Sequence, residues 1–592
     1  MRRLRALLLV SAYAMLWPAA DATAVAKAPD ASAAPATVAP ASALPAPAAF
    51  LSRSPGEEFI YFLLPDRFEN GDTANDLGGL QGDRLTTGFD PTSKGFFHGG
   101  DLKGLVSRLD YIQRLGATAI WLGPIYQNKP VQGPVGDESA AYHGYWITDF
   151  TKVDAHYGTN DEMKAFVDAA HARGIKVYLD IIANHTADVI TYRECPRIGC
   201  PYRSKADYPE KAYSAYVPAG EENVKVPAWL NDVRWYHNRG NTTFEGENSQ
   251  LGDFFGLDDL DTDNPRVVQG FIDIYGDWIT RFRVDGFRID TAKHVNPEFW
   301  QEFAPAMEQR ARLAGIPNFH IFGEVATGEM DPALTARWTR IAGLPGVIDF
   351  GFAAAVRRTL AGNDGTDLLA RLFEADVLYA GGEAQALTLP TFISNHDDGR
   401  LAYFIQRARP KATNEEVLAR MKLGHALLLL LRGVPTVYYG DEQGFAGYGN
   451  DQAARQDMFP SLTASYNEQP LLGTTATTAM SNFDTAHPLY RLIQQLAAAR
   501  AGSDALQRGR QVPRHSEPKP GLFAVSRFSP TTGKEVLLTF NTSAEPVEAN
   551  VVVERSSVQF HSLVGACAAT AREPGSYRVK LPAFGFVACA AE

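Results

Sequence analysis

Short apolar runs alternate with stretches of helical period between about residues 57 and 500. The helical stretch "LVSRLDYIQRLG" precedes the run "GATAIWLGPIY", and "DEMKAFVDAAHARG" precedes "GIKVYLDIIANH". Apolar runs separated by helices are typical of a parallel sheet that is covered on both faces. The other six runs are "EFIYFLLPDRF", "FRVDGFRID", "FHIFGEV", "GVIDFGF", "TLPTFISNHD" and "GVPTVYYGDE". Eight such units predict an α/β fold, a closed (β/α)8 TIM barrel.

Two regions depart from this alternation. A connection of about seventy residues, rich in Tyr, Pro, Asn and Gly, follows the third run, and we interpret residues 186–256 as an inserted loop domain. From residue 503 to residue 592 short strands follow one another without helices, which predicts a C-terminal antiparallel β-sandwich domain. The barrel is therefore expected at residues 57–185 and 257–502.

The N-terminus has the layout of an export signal. Arginines 2, 3 and 5 precede a short apolar segment, and small residues follow it, so residues 1–26 are predicted to be a signal peptide with cleavage after Ala22, Ala24 or Ala26. A membrane anchor is the alternative, but the apolar segment is shorter than the ~20 residues of a spanning helix. Residues 27–56 are interpreted as an Ala/Pro-rich linker, disordered or extended. We expect an exported protein, periplasmic or secreted, with no membrane contact after cleavage.

Charge and cysteine content narrow the possible partners. The formal net charge is -12 and there is no long basic run, which argues against nucleic acid. Four cysteines in an exported chain suggest disulfides, and proximity in sequence favours Cys195–Cys200 and Cys567–Cys589. Free thiols or a metal site are the alternatives. The distance between the pairs, and the lack of histidines at finger-like spacing, argue against zinc.

Acidic and basic side chains follow the predicted strands where a barrel places its active site. The third strand ends near Asp180, Asn184 and His185, the fourth at Arg288 and Asp290, the fifth at Glu324, and the seventh at His396 and Asp397. Carboxylates from several strands would thus meet at one mouth. Paired carboxylates that flank a bond are the groups used in glycoside hydrolysis.

The surroundings of two carboxylates suggest different roles. Arg288 beside Asp290 favours the ionised, oriented carboxylate that a nucleophile needs. Glu324 lies in the apolar "IFGEVA" with Asp290 nearby, and this setting favours a protonated general acid. Taken singly, Asp290 could be only a structural ion-pair partner of Arg288, and Glu324 an ordinary residue at a strand end.

Four segments in order, "DIIANH", "GFRIDTAKH", "FGEV" and "FISNHD", resemble the signature segments of the α-amylase family of glycoside hydrolases (family 13). The resemblance runs from about residue 57 to residue 592 and is closest to α-amylases and to cyclodextrin glucanotransferase- or neopullulanase-like enzymes. It implies that Asp290 is the nucleophile, Glu324 the acid/base, and Asp397 the third carboxylate, which holds sugar hydroxyls. The sugar-binding residues that it implies are His143 and Tyr145 in "AYHGYW", His185, Arg288, Lys293, His294, His396, and Asp451 and Arg455 in "GYGNDQAARQDMF".

Several of these residues also have structural interpretations. His185 and His396 could be core histidines, Tyr145 a core aromatic residue, and Lys293 a solvated charge. The resemblance nevertheless implies retaining cleavage of α-1,4-glucosidic bonds in starch, maltodextrins and related glucans. We expect a monomer. The alternatives are a cyclomaltodextrinase, neopullulanase or glucanotransferase on the same scaffold, or a glucan-binding protein without catalysis. Val325, where cyclising members often carry a bulky aromatic residue, favours hydrolysis.

Calcium is the expected cofactor. The loop "NGDTAND" clusters side-chain oxygens that suit Ca²⁺, although its spacing is not that of an EF-hand and it could be a solvated turn. By resemblance the first site comprises Asn70, Asp72, Asn75, Asp76, Gly99 and Asp101. A second site would use Asn184, Asp259 and the carbonyl of His294. Asp259 is the looser match, because the family usually has a proline at the position of Asp258.

Overall fold

A computed structural model describes residues 49–195, 200–207, 211–243 and 250–592. The predicted signal peptide and most of the linker lie outside the described residues. The end of the linker is folded rather than extended: it forms short 3-10 helices at Ala49–Ser52 and Pro55–Glu57. Leu51 is buried, and Arg53 donates to the carbonyl oxygens of Thr118 and Gly174 at 3.1 and 2.8 Å, so this segment is attached to the barrel.

The centre of the molecule is a parallel sheet. Its strands are β1 (Ile60–Leu63), β2 (Ala119–Leu122), β3 (Lys176–Ile181), β4 (Gly286–Ile289), β5 (His320–Gly323), β6 (Pro390–Thr391) and β7 (Val434–Tyr438). They are ordered β5-β4-β3-β2-β1-β7-β6, and all pairs are parallel. Every residue of these strands is buried, as expected for a sheet that helices cover outside and side chains fill inside.

The gap between β5 and β6 is filled by the run "GVIDFGF", which was predicted to be a full strand. It contributes only two parallel bridges, Gly323 with Val347 and Asp349 with Thr391. The run is short because Asp349 already caps the helix Phe350–Leu360, accepting from the backbone N–H of Phe352. The eight predicted units therefore form a nearly closed (β/α)8 barrel of seven strands and one bridging segment.

Helices cover the sheet, and their starts follow local sequence signals. The helix Asn160–His171 begins with a capping box between Thr159 and Glu162, and Pro265 is the first residue of the helix Pro265–Phe282. The other α-helices are Arg84–Thr87, Leu102–Ser107, Leu109–Leu115, Pro297–Leu313, Pro332–Ile341, Phe350–Leu360, Asp367–Glu374, Gly382–Ala386, Leu401–Ala408, Asn414–Leu430, Ala464–Asn467, Pro488–Ala501 and Asp504–Arg508.

Two long connections rise above the carboxyl ends of the strands. The expected one, after β3, contains the ribbons His185–Thr186 with Asp258–Asp259 and Thr191–Tyr192 with Ala215–Tyr216. Its disulfide joins Cys195 to Cys200, as predicted. The other connection, after β2, was not predicted as a separate feature. It pairs Tyr126–Asn128 with Ile147–Val153, and Val131–Gln132 with Ser139–Ala140.

The C-terminal region is antiparallel. Its strands are β8 (Arg510–His515), β9 (Leu522–Phe528), β10 (Glu535–Asn541), β11 (Val547–Val552), β12 (Phe560–Val564), β13 (Ser576–Leu581) and β14 (Phe586–Ala591). Five form a sheet in the order β8-β9-β10-β14-β12, and β11 pairs with β13. The predicted disulfide Cys567–Cys589 is present. The polar sequence of β8, with Pro513 inside it, marks an edge strand and hid it from a search for apolar runs.

Candidate active site

Asp290, Glu324 and Asp397 come together at the carboxyl ends of the barrel strands. Asp290 follows β4 directly and Glu324 follows β5 directly. The parallel register fixes both, since the N–H of Asp290 donates to Ile181 O at 2.9 Å and that of Glu324 to Ile289 O at 2.8 Å. Asp397 follows β6. All three line one cavity of about 1020 Å³.

Arg288 lies beneath this cavity and contacts three carboxylates. Its Nη1 donates to Asp290 Oδ1 at 2.9 Å and to Asp180 Oδ1 at 2.7 Å. Its Nη2 lies 2.9 Å from Glu324 Oε2. The predicted contact of Arg288 with Asp290 is present, and the guanidinium contacts Glu324, for which no such contact was predicted, at the same distance.

Burial dominates the electrostatics of the cluster. It raises the pKa of Asp290 well above its ordinary value, and the opposing charge of Arg288 does not outweigh it. Burial also raises the pKa of Asp180 to about 6, again against Arg288. At Asp290, Arg288 opposes the rise in pKa, and the role of Arg288 in keeping Asp290 ionised stays a prediction. The acids outnumber the cations, so the cluster tends to retain protons.

Asp180, which was predicted at a strand end without a role, accepts the most hydrogen bonds among the acids of the cluster. Besides Arg288, it accepts from Trp121 Nε1 at 3.0 Å and from the Tyr145 hydroxyl at 3.1 Å. That hydroxyl in turn accepts from His396 Nε2 at 2.8 Å. Asp180 thus orients both Arg288 and Tyr145. Asp180 begins the segment "DIIANH", but its contacts with residues far away in sequence could not be predicted from that segment.

Asp397 is held by a second arginine, Arg455. Nη2 of Arg455 donates to Asp397 Oδ1 at 3.0 Å and lies 2.7 Å from Asp451 Oδ1, while Nε donates to the carbonyl of His396 at 3.1 Å. Although 46% of the Asp397 side chain is exposed, partial burial raises its pKa to about 7, with Arg455 opposing. Arg455 was predicted to bind sugar. It lines the cavity, and its buried guanidinium also holds Asp397, while Asp451 is exposed at the same cavity.

Four histidines around the cavity are held neutral by burial. Burial lowers the pKa of His185 to about 4 and of His294 to about 3, and those of His143 and His396 well below the ordinary value. His143 Nδ1 accepts from the N–H of Tyr145 at 3.1 Å. A neutral imidazole can hydrogen-bond a sugar hydroxyl without adding charge to the site.

Aromatic rings lie on the side of the cavity near Glu324. His185 stacks on Phe254, with ring centroids 5.6 Å apart, and His294 packs edge-on against the same ring at 5.2 Å. The adjacent Phe255 is 66% exposed. A smaller cavity of about 240 Å³ is lined by Phe254, Phe255, Thr291, Lys293, His294, Glu324 and Ala326. Lys293 Nζ donates to the carbonyl of Ala326 at 2.7 Å. These two phenylalanines are not among the predicted site residues, although the segment "GDFFG" is typical of exposed aromatic residues in a loop.

The residues predicted for the first calcium site converge. Asn70 Nδ2 donates to Asp76 Oδ1 at 2.9 Å, and Asp101 Oδ2 accepts from Asn75 Nδ2 at 3.3 Å and from the N–H of Asp72 at 2.8 Å. A Cβ at Gly99 would meet Asn70 Nδ2 at 2.5 Å. Asn75 Oδ1 is buried and has no hydrogen-bond partner among the described residues. Burial raises the pKa values of Asp76 and Asp101, which bound Ca²⁺ would reverse. The side chain of Asp72 is turned to Lys103. The donor set fits Ca²⁺.

Two of the ligands predicted for the second calcium site are neighbours. The ribbon sets His185 opposite Asp259, and Leu260 donates to the carbonyl of Asn184 at 3.0 Å. Asn184 Oδ1 is buried without a hydrogen-bond partner in the described part of the chain. Burial raises the pKa of Asp259 to about 7, opposed chiefly by His237, whose Nδ1 donates to Asp259 Oδ2 at 2.6 Å. A buried amide oxygen beside a buried carboxylate fits a hard cation.

The fold and the site together define a class of protein: a (β/α)8 barrel whose strand ends carry the paired carboxylates used on glycosidic bonds. Residues 62–509 match the alpha-amylase family, described as alpha amylase, catalytic domain. The chain belongs to this family.

The relatives agree in fold and family. An alpha-amylase of Streptomyces lividans is 44% identical over 510 residues, covering 82% of this chain and 55% of that protein. A cyclomaltodextrin glucanotransferase of Klebsiella oxytoca is 28% identical over 484 residues, covering 76% of this chain and 66% of that protein. A crystal structure of an Anoxybacillus alpha-amylase has a TM-score of 0.69 at 26% identity and covers 91% of this chain and 99% of its own. The chain thus spans between about half and two thirds of the length of these two curated relatives.

Within the ranges that the structure describes, no helix has both the length and the apolar character needed to cross a bilayer.

Proposed function

We propose that the chain is a retaining glycoside hydrolase that cleaves α-1,4-glucosidic bonds in starch and maltodextrins. One observation carries the proposal: Asp290, Glu324 and Asp397 line one cavity, and Arg288 contacts the first two. The relation to an alpha-amylase of Streptomyces lividans supports the choice of substrate. A cavity of about 1020 Å³ has room for several sugar rings.

The proposed reaction has two displacements. Asp290 attacks the anomeric carbon with one carboxylate oxygen, while Glu324 gives its proton to the glycosidic oxygen of the leaving glucan. The C–O bond to the leaving group breaks as the ester bond to Asp290 forms. Glu324, now a carboxylate, then takes a proton from water, whose oxygen attacks the anomeric carbon and releases Asp290.

The shared contact with Arg288 suits this sequence. In the first displacement Asp290 loses its negative charge to the ester, and Glu324 gains one by losing its proton. Because Arg288 lies 2.9 Å from both, the negative charge beside the guanidinium stays constant. Arg288 need not move as the charge shifts from one acid to the other, and such a preorganised cation lowers the activation barrier of the displacement.

The surrounding residues have supporting roles in this proposal. Asp397, held by Arg455, accepts hydrogen bonds from sugar hydroxyls, and the neutral His143, His185 and His396 hydrogen-bond to the same ring. Tyr145 stacks on the ring. Asp451 binds glucose on one side of the cut, while Lys293 and His294 lie on the leaving side. Arg455 acts through Asp397 and is a positioning residue.

Transfer to a sugar is the second candidate function, as in a glucanotransferase or cyclomaltodextrinase. The observation that favours it is Phe255, which is 66% exposed and lines the same small cavity as Glu324. An aromatic platform there would hold an acceptor sugar where water would otherwise enter. Product analysis on maltoheptaose separates the two, because hydrolysis yields only shorter chains and transfer also yields longer or cyclic ones.

Asp290→Asn tests the catalytic assignment. We expect this variant to lose at least ~10³-fold in the rate of reducing-end release from starch, because the amide cannot form the glucosyl ester. Maltooligosaccharide binding by calorimetry should persist. The matched control is Asp168→Asn, on the exposed surface of the helix Asn160–His171, which should keep full activity. Full activity of Asp290→Asn would overturn the assignment and leave a glucan-binding role without catalysis.

Calcium at the first site is part of the proposal. Asn70, Asn75, Asp76 and Asp101, with the Gly99 turn, would hold the ion, which supplies positive charge to buried carboxylates. The side chain of Asp72 faces Lys103 instead. Chelation should lower the melting temperature of the wild type by several degrees, and Ca²⁺ should restore it. Asp101→Asn should show a smaller chelator-dependent change in melting temperature than the wild type, because the second predicted site, at Asn184 and Asp259, is untouched. A chelator-insensitive wild type would argue against calcium.

Export and assembly state are also proposals. The two disulfides fit an oxidising compartment, and the expectation remains an exported monomer. Light scattering of the purified chain and N-terminal sequencing of the mature protein would test both points.

A further inference from the structure

A second groove lies beside the catalytic cavity, with a volume of about 690 Å³. Its walls come from the segment after β5, from the helices Phe350–Leu360 and Leu401–Ala408, and from the loop that precedes Asp451. None of the residues to which the proposed reaction gives a role lines this groove. Its size is that of a site for a small ligand or for a few sugar rings.

A thin wall separates the groove from the catalytic cavity. Asp397 lines the catalytic cavity, and the next residue, Asp398, lines the groove. The N–H of Asp451 donates to the carbonyl of Asp397 at 3.1 Å, so the two loops that form the wall are joined by their backbones. The exposed Asn450 lines both spaces. A chain that leaves the catalytic cavity past Asn450 therefore reaches the groove directly.

The groove combines aromatic rings with paired polar groups. Tyr403 and Phe404 are half-buried, and the guanidinium carbon of Arg357 lies 4.6 Å from the centre of the Phe404 ring. Nη1 of Arg357 donates to Asp398 Oδ2 at 2.9 Å, and the hydroxyl of Tyr403 accepts from Arg407 Nη1 at 3.2 Å. Aromatic faces pack on the C–H groups of a sugar, and arginine with a carboxylate supplies donors and acceptors for its hydroxyls.

The charge of the groove favours a neutral ligand over an anion. Three arginines line it, but Arg357 and Arg358 each contact a carboxylate, at 2.9 and 2.6 Å. The exposed Glu329 also lines the groove and offsets the charge of Arg407. Because each arginine is matched by one acid, the groove has no excess positive charge to attract a phosphate or a carboxylate ligand.

We propose that this groove binds a second stretch of the α-glucan chain whose first stretch occupies the catalytic cavity. The inference rests on the proposed glucan substrate, but not on the catalytic roles of Asp290 and Glu324. A chain long enough to occupy both places binds the second one intramolecularly, which raises its affinity over that of a short chain. The groove thus gives the protein a preference for polymeric glucans over short maltooligosaccharides.

The ratio of the affinities for amylose and for maltotetraose tests the proposal. Both are measured by calorimetry on the full chain carrying Asp290→Asn, so that neither glucan is cleaved. Adding Tyr403→Ala should lower the ratio about 2–10-fold, as for loss of an aromatic contact. Tyr403→Phe, which keeps the ring, should restore most of it. Tyr216→Ala, at a partly exposed tyrosine that lines neither space, is the matched control and should leave the ratio unchanged.

The outcomes separate this inference from the proposed function. An unchanged ratio in Tyr403→Ala, or an equal loss of affinity for both glucans, would overturn the groove as a separate binding place. If Asp290→Asn alone bound neither glucan, the proposed substrate would be wrong and the inference would fail with it.

A second variant and a change of salt exclude a site for anions. Arg407 is exposed, so Arg407→Glu should fold normally, and it should lower the same ratio because the donor to Tyr403 is lost. In the chain carrying only Asp290→Asn the ratio should be the same at low and at high NaCl, and inorganic phosphate should not reduce it. A ratio that falls with salt or with phosphate would show an anion site and contradict the proposal.

Discussion

Two buried arginines hold the carboxylates of the candidate active site, and they do so differently. Arg288 divides its guanidinium among Asp180, Asp290 and Glu324. Arg455 holds Asp397, and its other contacts include Asp451, the carbonyl of His396 and the hydroxyl of Tyr142. Arg288 therefore lies where charge is exchanged between two acids, and Arg455 fixes one acid in place. The comparison teaches that similar ion pairs in one cavity can have different functions: one supports the chemical step and the other positions a binding group.

Of the two arginine replacements, that of Arg288 should have the larger effect on catalysis. Arg288→Lys retains the charge, but a single ammonium cannot contact three carboxylates in the fork geometry of a guanidinium. We expect kcat on maltoheptaose to fall by about 10²–10³-fold, as for loss of a preorganised electrostatic contact. Steady-state kinetics would check this.

The control for that variant is Arg432→Lys. Arg432 is also buried between two carboxylates, Asp349 and Asp376, at 2.5 and 2.6 Å, but it does not line the catalytic cavity. Its replacement should lower the melting temperature and leave kcat nearly unchanged. Equal losses of kcat in both variants would remove the distinction between a catalytic and a structural arginine.

Arg455→Lys should have a smaller effect of another kind. Asp397 would lose a charge-assisted hydrogen bond and would be less well positioned for sugar hydroxyls. We expect KM to rise roughly 10-fold, the equivalent of one such bond, with a smaller change in kcat. If kcat fell as far as in Arg288→Lys with KM unchanged, the two arginines would have the same function.

Phe255→Ala tests whether the exposed ring beside Glu324 binds acceptor sugars. Removing the exposed ring should lower the ratio of transfer to hydrolysis a few-fold, in line with the ~0.5–1.5 kcal/mol of an aromatic contact. The ratio is measured by chromatography of the products from maltoheptaose. An unchanged ratio would show that acceptor sugars do not contact this ring.

The smallest effect concerns pH and stability. Asp180 has a pKa raised to about 6 by burial, against an ordinary value of 3.8. Between these values the folded chain binds more protons than the unfolded chain, so this group's contribution to stability decreases as pH rises through the window. Asp180→Asn should therefore flatten the pH dependence of the melting temperature between about pH 4 and pH 6. An identical pH dependence in wild type and variant would show that Asp180 is ionised throughout.

The sequence was sufficient for those parts of the site that lie next to apolar strands. Asp290 and Glu324 each follow a buried run directly, so barrel geometry alone placed them at one mouth. The role of Arg455 could not be inferred, because it depends on contacts with Asp397 and with the carbonyl of His396, nearly sixty residues away in sequence. The relative effects of Arg288 and of burial on the pKa of Asp290 could not be predicted either, because burial is a property of the folded chain.

The same contrast applies to the fold. Seven of the eight predicted barrel runs form strands because their apolar residues are buried on both faces. The remaining run, "GVIDFGF", is cut short at Asp349, because this residue caps the helix Phe350–Leu360 and the chain becomes helical there. In the C-terminal sheet, β9 and β10 follow the apolar pattern, whereas the polar edge strand β8 does not. A polar edge strand is formed by pairing with its neighbour, so the local pattern of apolar residues does not predict it.

The most direct test of the account is to trap the intermediate on the chain. A glucosyl fluoride with fluorine at carbon 2 forms the ester with the nucleophile but slows its hydrolysis, and peptide mass spectrometry then locates the added sugar. The account predicts one glucosyl group on Asp290 in the wild type, and none in Asp290→Asn. A label on another residue, or turnover of the reagent by an unlabelled enzyme with inversion at the anomeric carbon, would contradict it.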